Sequence, residues 1–354
     1  MIELIHPKDN ADICLMTPIQ KEFVKQDKAG SFKSVADMMF WEKVGSSHRS
    51  ETNASIYFKW TGVEIFEPMS LEFSFEEDFG ELCPKTAVTV GDITYSTEDG
   101  GCFVARVDNL MMGKRYFWRV RNGESLSEVR SFTTQRGEIR AMRIPHMVNV
   151  RDIGGRMTKY GKYVKQGMIF RGPAFEQQIY TDVMNECTRR YFLENMGIKT
   201  DIDLREEAVG KVTRSALSPD TKYYLCEFKA GGGIFCDVMQ VYLPQIFEIL
   251  ADESNYPIYF HCAAGADRTG TLAWVLESVL GESLENISMD YDYTSVSGGA
   301  RCWRQEGHYT EFGFDYCDER YPGLSVPEQM VMAMTEYVGI PEETLEKIRS
   351  IMLE

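Results

Sequence analysis

Residues 256–281 read YPIYFHCAAGADRTGTLAWVLESVLG. The short apolar run Pro257 to Phe260 has the length of a buried strand, and it delivers His261 and Cys262 to its carboxyl end. Behind the loop, Leu272, Val275, Leu276, Val279 and Leu280 recur at helical spacing along one face, and Gly281 closes the helix. A strand, a small-residue loop and a helix start, in that order, belong to an α/β unit. Open sheets of that class bind ligands at the carboxyl ends of their strands.

The loop residues point to one chemistry. Ala263, Ala264 and Gly265 are small enough to let successive amides turn inward, and Ala266, Asp267 and Arg268 complete a phosphate-sized ring at the helix start. Cys262 then meets the helix dipole, the amides and the Arg268 guanidinium, each of which favours thiolate over thiol. Such a sulfur is a nucleophile suited to phosphorus, with Arg268 gripping two phosphoryl oxygens as charge redistributes. The Thr269 hydroxyl can donate to the sulfur when it leaves, and His261 can orient the loop. No metal and no cofactor is required.

The remainder of the chain places this unit second of two. At 354 residues the chain exceeds one ordinary core. Up to about residue 135 it reads as strands, among them SIYFKW (55–60), AVTVGDITYST (87–97), CFVARVDNL (102–110) and RYFWRVRNG (115–123). Regular short strands without helices between them predict a β-sandwich over 1–138, although SVADMMFWEKV within the first fifty residues has no place in it. Over 139–354, strands at 168–172, 198–205 and 222–228 alternate with helices at 179–196 and 235–250. A capping box at Ser325 and Glu328 opens a late helix, and another follows Gly339. This predicts a mostly parallel sheet flanked by helices.

A formal charge of −16 excludes broad binding to nucleic acid or anionic lipid. Nine cysteines without a C-x2-C pair give no zinc pattern, and their odd number in a long chain fits reduced thiols. No apolar run is long enough to span a membrane and no signal-peptide pattern is visible, so the expected location is the cytoplasm.

Two resemblances extend this reading. LMMGKRYFWRVRNGESLSEVRSFTT resembles the end of a fibronectin type III domain, with Leu110, Tyr116, Trp118 and Val120 in that family's places and Tyr116 as its tyrosine-corner residue. The string His261-Cys262-x-Ala264-Gly265-x-Asp267-Arg268-Thr269-Gly270 resembles the phosphate-binding loop of cysteine-based protein tyrosine phosphatases, in the bacterial and fungal branch that carries an acid inside the loop. NVRDIGG (149–155) and GIKTDIDLREEAVG (197–210) resemble two further segments of that branch, in the family order. The resemblance implies a protein tyrosine or dual-specificity phosphatase working through a cysteinyl-phosphate intermediate. Its substrate would be a phosphotyrosine-containing protein or a small phosphate monoester. The β-sandwich reads as docking a protein partner, as shaping the substrate cleft, or as a passive spacer. Two alternatives are an inositol phosphate or phosphoinositide phosphatase and a binding protein that has lost turnover. Ala266 stands where several relatives carry a lysine associated with phosphoinositides, which weakens the first of these.

The leaving group needs a proton donor, and Asp267 is favoured over Asp203 because it is tethered beside the sulfur. The competing role for Asp267 is a helix cap, and Asp203 with Arg205 can instead brace the loop. Asn149, Arg151 and Asp152 read as turn braces. Arg171 reads equally as a substrate contact or a surface charge, and Asp201 as reaching the site or facing solvent. The glycine run 231–233 reads as a loop, or as a lid over the site.

Overall fold

The computed structural model describes residues 1–48, 51–63, 66–98, 100–175, 184–208, 210–229, 235, 237–297, 299–305 and 313–354. The glycine run 231–233 and the start of the helix expected at 179 lie outside the described residues. The chain forms two compact units, one from 1–17 and 52–140, the other from 18–51 and 141–354.

The first unit contains two sheets. One has the order β1 (Glu3–His6), β3 (Ile56–Thr61), β6 (Cys102–Asp108), β5 (Thr89–Ser96). The other runs β2 (Ala11–Ile13), β9 (Arg130–Thr134), β7 (Arg115–Asn122), β4 (Met69–Ser74), with β8 (Ser125–Leu126) on β7. Alternation along β7 turns Tyr116, Trp118 and Val120 inward, all at 0% exposure. Phe58 of the first sheet meets Phe73, Trp118 and Phe132 of the second at ring distances of 5.2, 4.8 and 5.6 Å. Burying each such ring contributes on the order of 2–3 kcal/mol, so these aromatics hold the sheets together. The Tyr116 hydroxyl donates to the Ala87 carbonyl and accepts from the Met111 amide, both at 2.9 Å.

The second unit is built on a six-stranded sheet in the order β10 (Arg140–Ala141), β11 (Arg151–Asp152), β12 (Ile169–Pro173), β15 (Ile258–Cys262), β13 (Thr200–Arg205), β14 (Lys222–Phe228). The last four strands are mutually parallel, and β11 runs antiparallel to β12. All six residues of β13 are buried, so the alternation in its sequence does not mark a solvent face: Asp201 and Asp203 lie as deep as Ile202. Helix α5 (Asp267–Leu280) is likewise buried on nearly every side and not on the one apolar stripe its spacing predicts, because α6 (Leu284–Asp292) and α8 (Val326–Met332) pack against it. Gly281 ends it at φ 85°. The capping box at Ser325 and Glu328 opens α8 as expected.

Residues 18–51, which the expected 1–138 sandwich includes, cluster with the second unit. Helix α1 (Pro18–Lys28) places Phe23 edge-on to Tyr293 at 5.6 Å and to Trp41, on α2 (Val35–His48), at 5.4 Å. The Tyr293 hydroxyl accepts from Gln20 Nε2 at 2.7 Å and donates to the Glu51 carbonyl at 2.8 Å. The apolar side chains of this segment serve a core whose other residues are contributed from more than two hundred positions downstream.

Replacing Tyr116→Phe removes two buried hydrogen bonds. We expect it to destabilise the first unit by about 1–3 kcal/mol in urea unfolding of the full chain. An unchanged midpoint would mean that the hydroxyl contributes nothing.

Candidate active site

Strand β15 lies between β12 and β13, both parallel to it, with Cys262 opposite Pro173 and His261 opposite Asp203. Cys262 is the last residue of the strand and is 3% exposed. Helix α5 begins five residues later with Ala266 as its N-cap, and no side chain caps it. Asp267 therefore does not play the capping role; the first amides of the helix are left for the loop.

The orientation of the loop is set from outside. The Ala263 carbonyl accepts from the Ala174 amide at 3.3 Å. The Ala264 and Gly265 carbonyls accept from Asn149 Nδ2 at 3.2 and 3.1 Å, and the Gly265 carbonyl also from Arg171 Nη2 at 3.1 Å. In a trans peptide the carbonyl and the next amide point in opposite directions. Three carbonyls drawn outward thus turn the amides of Ala264, Gly265 and Ala266 inward. Gly265 makes the turn at φ +67°, and a Cβ there would lie 2.4 Å from the Gly172 carbonyl carbon. Only glycine fits that position.

Asn149 and Arg171 are themselves fixed. Arg151 donates to Asn149 Oδ1 at 2.5 Å and to Asp290 Oδ1 at 2.7 Å, while Arg171 donates to Asp290 Oδ2. Arg156 pairs with Glu277 at 2.6 Å and with Glu282. All six groups are buried, three guanidinium groups against three carboxyl groups. Burial would raise the Asp290 carboxyl, but Arg151, Arg171 and Arg156 hold it far below its ordinary range. Arg171, at 0% exposure, is not a surface charge: it holds the loop through the Gly265 carbonyl. Asn149 and Arg151 brace, as expected, and Asp152 does so by accepting from the amides of Gly154 and Gly167.

The thiols separate by environment. Burial pushes Cys83, Cys226 and Cys317 up to about 12 and Cys302 up to about 11. Burial acts on Cys262 in the same sense, yet the Thr269 hydroxyl and amide, the Arg268 guanidinium and the Ala264 amide outweigh it and bring the thiol below its ordinary value. Thr269 is 0% exposed and Arg268 half-buried, so both stand within the loop's own wall.

Behind the strand, His261 Nε2 lies 3.0 Å from Asp201 Oδ1 and its Nδ1 3.9 Å from Asp203 Oδ1. Burial would lower the imidazole, but Asp201 and then Asp203 raise it to about 9, so it is a cation at neutral pH. Asp201 does not face solvent: its second oxygen accepts from Ser215 Oγ at 2.6 Å. Asp203 is 0% exposed. Both its oxygens accept from Arg205, at 2.9 and 2.7 Å, and Tyr223 donates to it at 2.9 Å. It braces its neighbours from within the sheet. Asp267, by contrast, has a side chain 61% exposed at the start of α5, paired with both Nε and Nη2 of Arg301 at 2.5 and 2.8 Å.

Residues 142–229 and 235–354 match the family model described as "Tyrosine phosphatase family". The chain belongs to that family. Its phosphatase class therefore agrees with the loop built around Cys262. No curated protein matches the chain. Among solved structures it is similar to the core catalytic domain of PP-IP phosphatase SIW14 from S. cerevisiae in complex with citrate, at 16% identity and a TM-score of 0.30 over 50% of this chain and 95% of that one. It is also similar to the Siw14 catalytic core, at 16% identity and 0.31 over 52% and 98%.

Sequence reasoning misses Asp290, Arg156, Glu277, Glu282 and Arg301. Glu277 and Asp290 stand on helices and Glu282 in the short connection between them, and nothing local marks the three acids as partners of arginines more than a hundred positions away. Among the described residues no cluster of His, Cys, Asp or Glu could hold a metal, and no helix is long and apolar enough to cross a membrane.

Because His261 is raised above its unfolded value, its contribution to stability is complete below about pH 6.5 and is lost as pH rises through about 9. In urea unfolding between those values we expect Asp201→Asn to flatten this slope, which is worth at most about 3 kcal/mol. An identical slope in the variant would contradict the pairing.

Proposed function

We propose that this chain is a metal-independent protein tyrosine or dual-specificity phosphatase that acts through a cysteinyl-phosphate. The observation that carries the reading is the Cys262 thiol lowered by Thr269, Arg268 and the Ala264 amide at a strand end, against four other thiols that burial pushes upward. In this reading the loop from Ala263 to Arg268 cradles the phosphoryl group. The Cys262 thiolate attacks phosphorus, the S–P bond forms, and the ester P–O bond breaks. Asp267 gives its proton to the departing oxygen. Water then cleaves the S–P bond and releases inorganic phosphate, with the Thr269 hydroxyl donating to the leaving sulfur. Arg268 holds the equatorial oxygens throughout.

The exposure of Asp267 and the sealing of Asp203 support Asp267 as the acid. Asp203 and His261 then position the strand end. A phosphotyrosine side chain is the substrate class we favour, since Ala266 adds no cation to the loop for a polyphosphorylated ring. For the first unit we propose a fibronectin type III-like docking role. The Tyr116 hydroxyl reaching back to the Met111 amide supports the family likeness.

Release of phosphate from an aryl phosphate, with chelator present, tests the mechanism. Cys262→Ser should abolish turnover, and Asp267→Asn should lower kcat by about 10²–10⁴ for an ester with a poor leaving group. Asp203→Asn should cost less. Turnover that survives Cys262→Ser would overturn the reading.

A further inference from the structure

Both carboxylates considered as proton donors are held by a guanidinium through both oxygens. Asp203 is held by Arg205 inside the protein and Asp267 by Arg301 at the surface. A carboxylate gripped in this fork has both oxygens occupied, and neither is free to face a leaving group. Asp267 must therefore part from Arg301 before it can serve a leaving group. The parting is inexpensive: with one partner 61% and the other 23% exposed, such a pair contributes little, at most about a fivefold bias. Arg301 does not travel with Asp267. Its amide donates to Ser295 Oγ and its carbonyl accepts from the same hydroxyl, both at 2.9 Å, and Nη1 donates to the Ala300 carbonyl at 2.8 Å. The stretch that carries it is tied at both sides. Tyr293 is fixed by Gln20 and Glu51, the Trp303 amide donates to Asp292 at 2.7 Å, and Gln305 accepts from the Val35 amide at 2.8 Å. When the acid leaves, a fixed guanidinium remains next to the loop on the side of Asp267.

Resting on the phosphatase reading, we propose that Arg301 is a specificity-determining residue that holds Asp267 until a second anionic group on the substrate takes its place on the guanidinium. The favoured substrates are phosphate monoesters that carry another negative group near the ester oxygen. The anion satisfies Arg301, and Asp267 is released beside the phosphoryl group, where it can serve the leaving oxygen. Substrates without that group must break the pair unaided. The charge of −16 over the whole chain makes a local cation of this kind the means by which a doubly anionic substrate is accepted at all.

The test compares kcat/KM for two substrate pairs. One is a phosphotyrosine peptide with Glu or Gln beside the phosphotyrosine; the other is an inositol with one phosphate or with two vicinal phosphates. The enzymes are the wild type, Arg301→Ala and Arg301→Gln, with Cys262→Ser as control. The wild type should favour the doubly charged member of at least one pair by about fivefold or more. Both Arg301 variants should bring that ratio within about twofold, with kcat/KM falling for the doubly charged member and rising for the singly charged one, which no longer has a pair to break. Whichever pair shows the effect identifies the anion as carboxylate or phosphate. A ratio unchanged in the variants, or an equal fall for both members, would assign Arg301 a purely structural part and overturn the proposal. If Arg301→Ala does not fold, the same ratio in Arg301→Gln decides. Turnover by Cys262→Ser would instead remove the phosphatase reading beneath it.

Discussion

The direction of three peptide carbonyls, at Ala263, Ala264 and Gly265, governs what this molecule can do. Each is taken by a donor outside the loop, and planarity of the peptide then turns the following amides away from that donor, the Ala264 amide onto the sulfur. A thiol with those amides, a helix start and Arg268 around it ionises more readily than an ordinary one, although burial alone would make it harder. The loop itself contributes small size and one glycine; its orientation is imposed by Asn149, Arg171 and Ala174.

That imposition requires charge to be buried. Arg171 can hold a carbonyl at 0% exposure only because Asp290 neutralises it, and Arg151 and Arg156 are matched in turn by Asp290, Glu277 and Glu282. Removing one member of such a set leaves an unpaired charge in the interior, which is far more costly than the pair is favourable. The same logic runs through β13, where Asp201 and Asp203 hold His261 as a cation behind the strand end. The strand that delivers the nucleophile is thus flanked by salt-bridged groups on both neighbouring strands, and its end position is correspondingly rigid.

How much of this was legible in the sequence depended on whether the signal was local. The strands of the first unit announce themselves by alternation and aromatic content, and Tyr116, Trp118 and Val120 point inward as their spacing says. The nucleophile loop is legible because strand, small residues, Arg268 and helix follow one another in a few positions. Residues 18–51 were not placed, since Phe23 and Gln20 find their partner in Tyr293. Asp290 looked like any acid on a helix, because a buried counter-ion is defined by arginines distant in sequence. Asp201, left by the sequence between the site and solvent, is one of the buried charges behind the loop, and the imidazole it pairs with explains its place. Arg301 carried no hint: only folding brings it to the acid that begins α5.

The most direct test is the pH dependence of Cys262 alkylation by iodoacetamide, followed by peptide mass spectrometry, in the wild type and in Asn149→Ala. The account predicts a wild-type midpoint below the ordinary thiol value of about 8.5 and an upward shift when the Ala264 carbonyl loses its outside donor and the Gly265 carbonyl keeps only Arg171. A wild-type midpoint at or above that value, unmoved by Asn149→Ala, would contradict it.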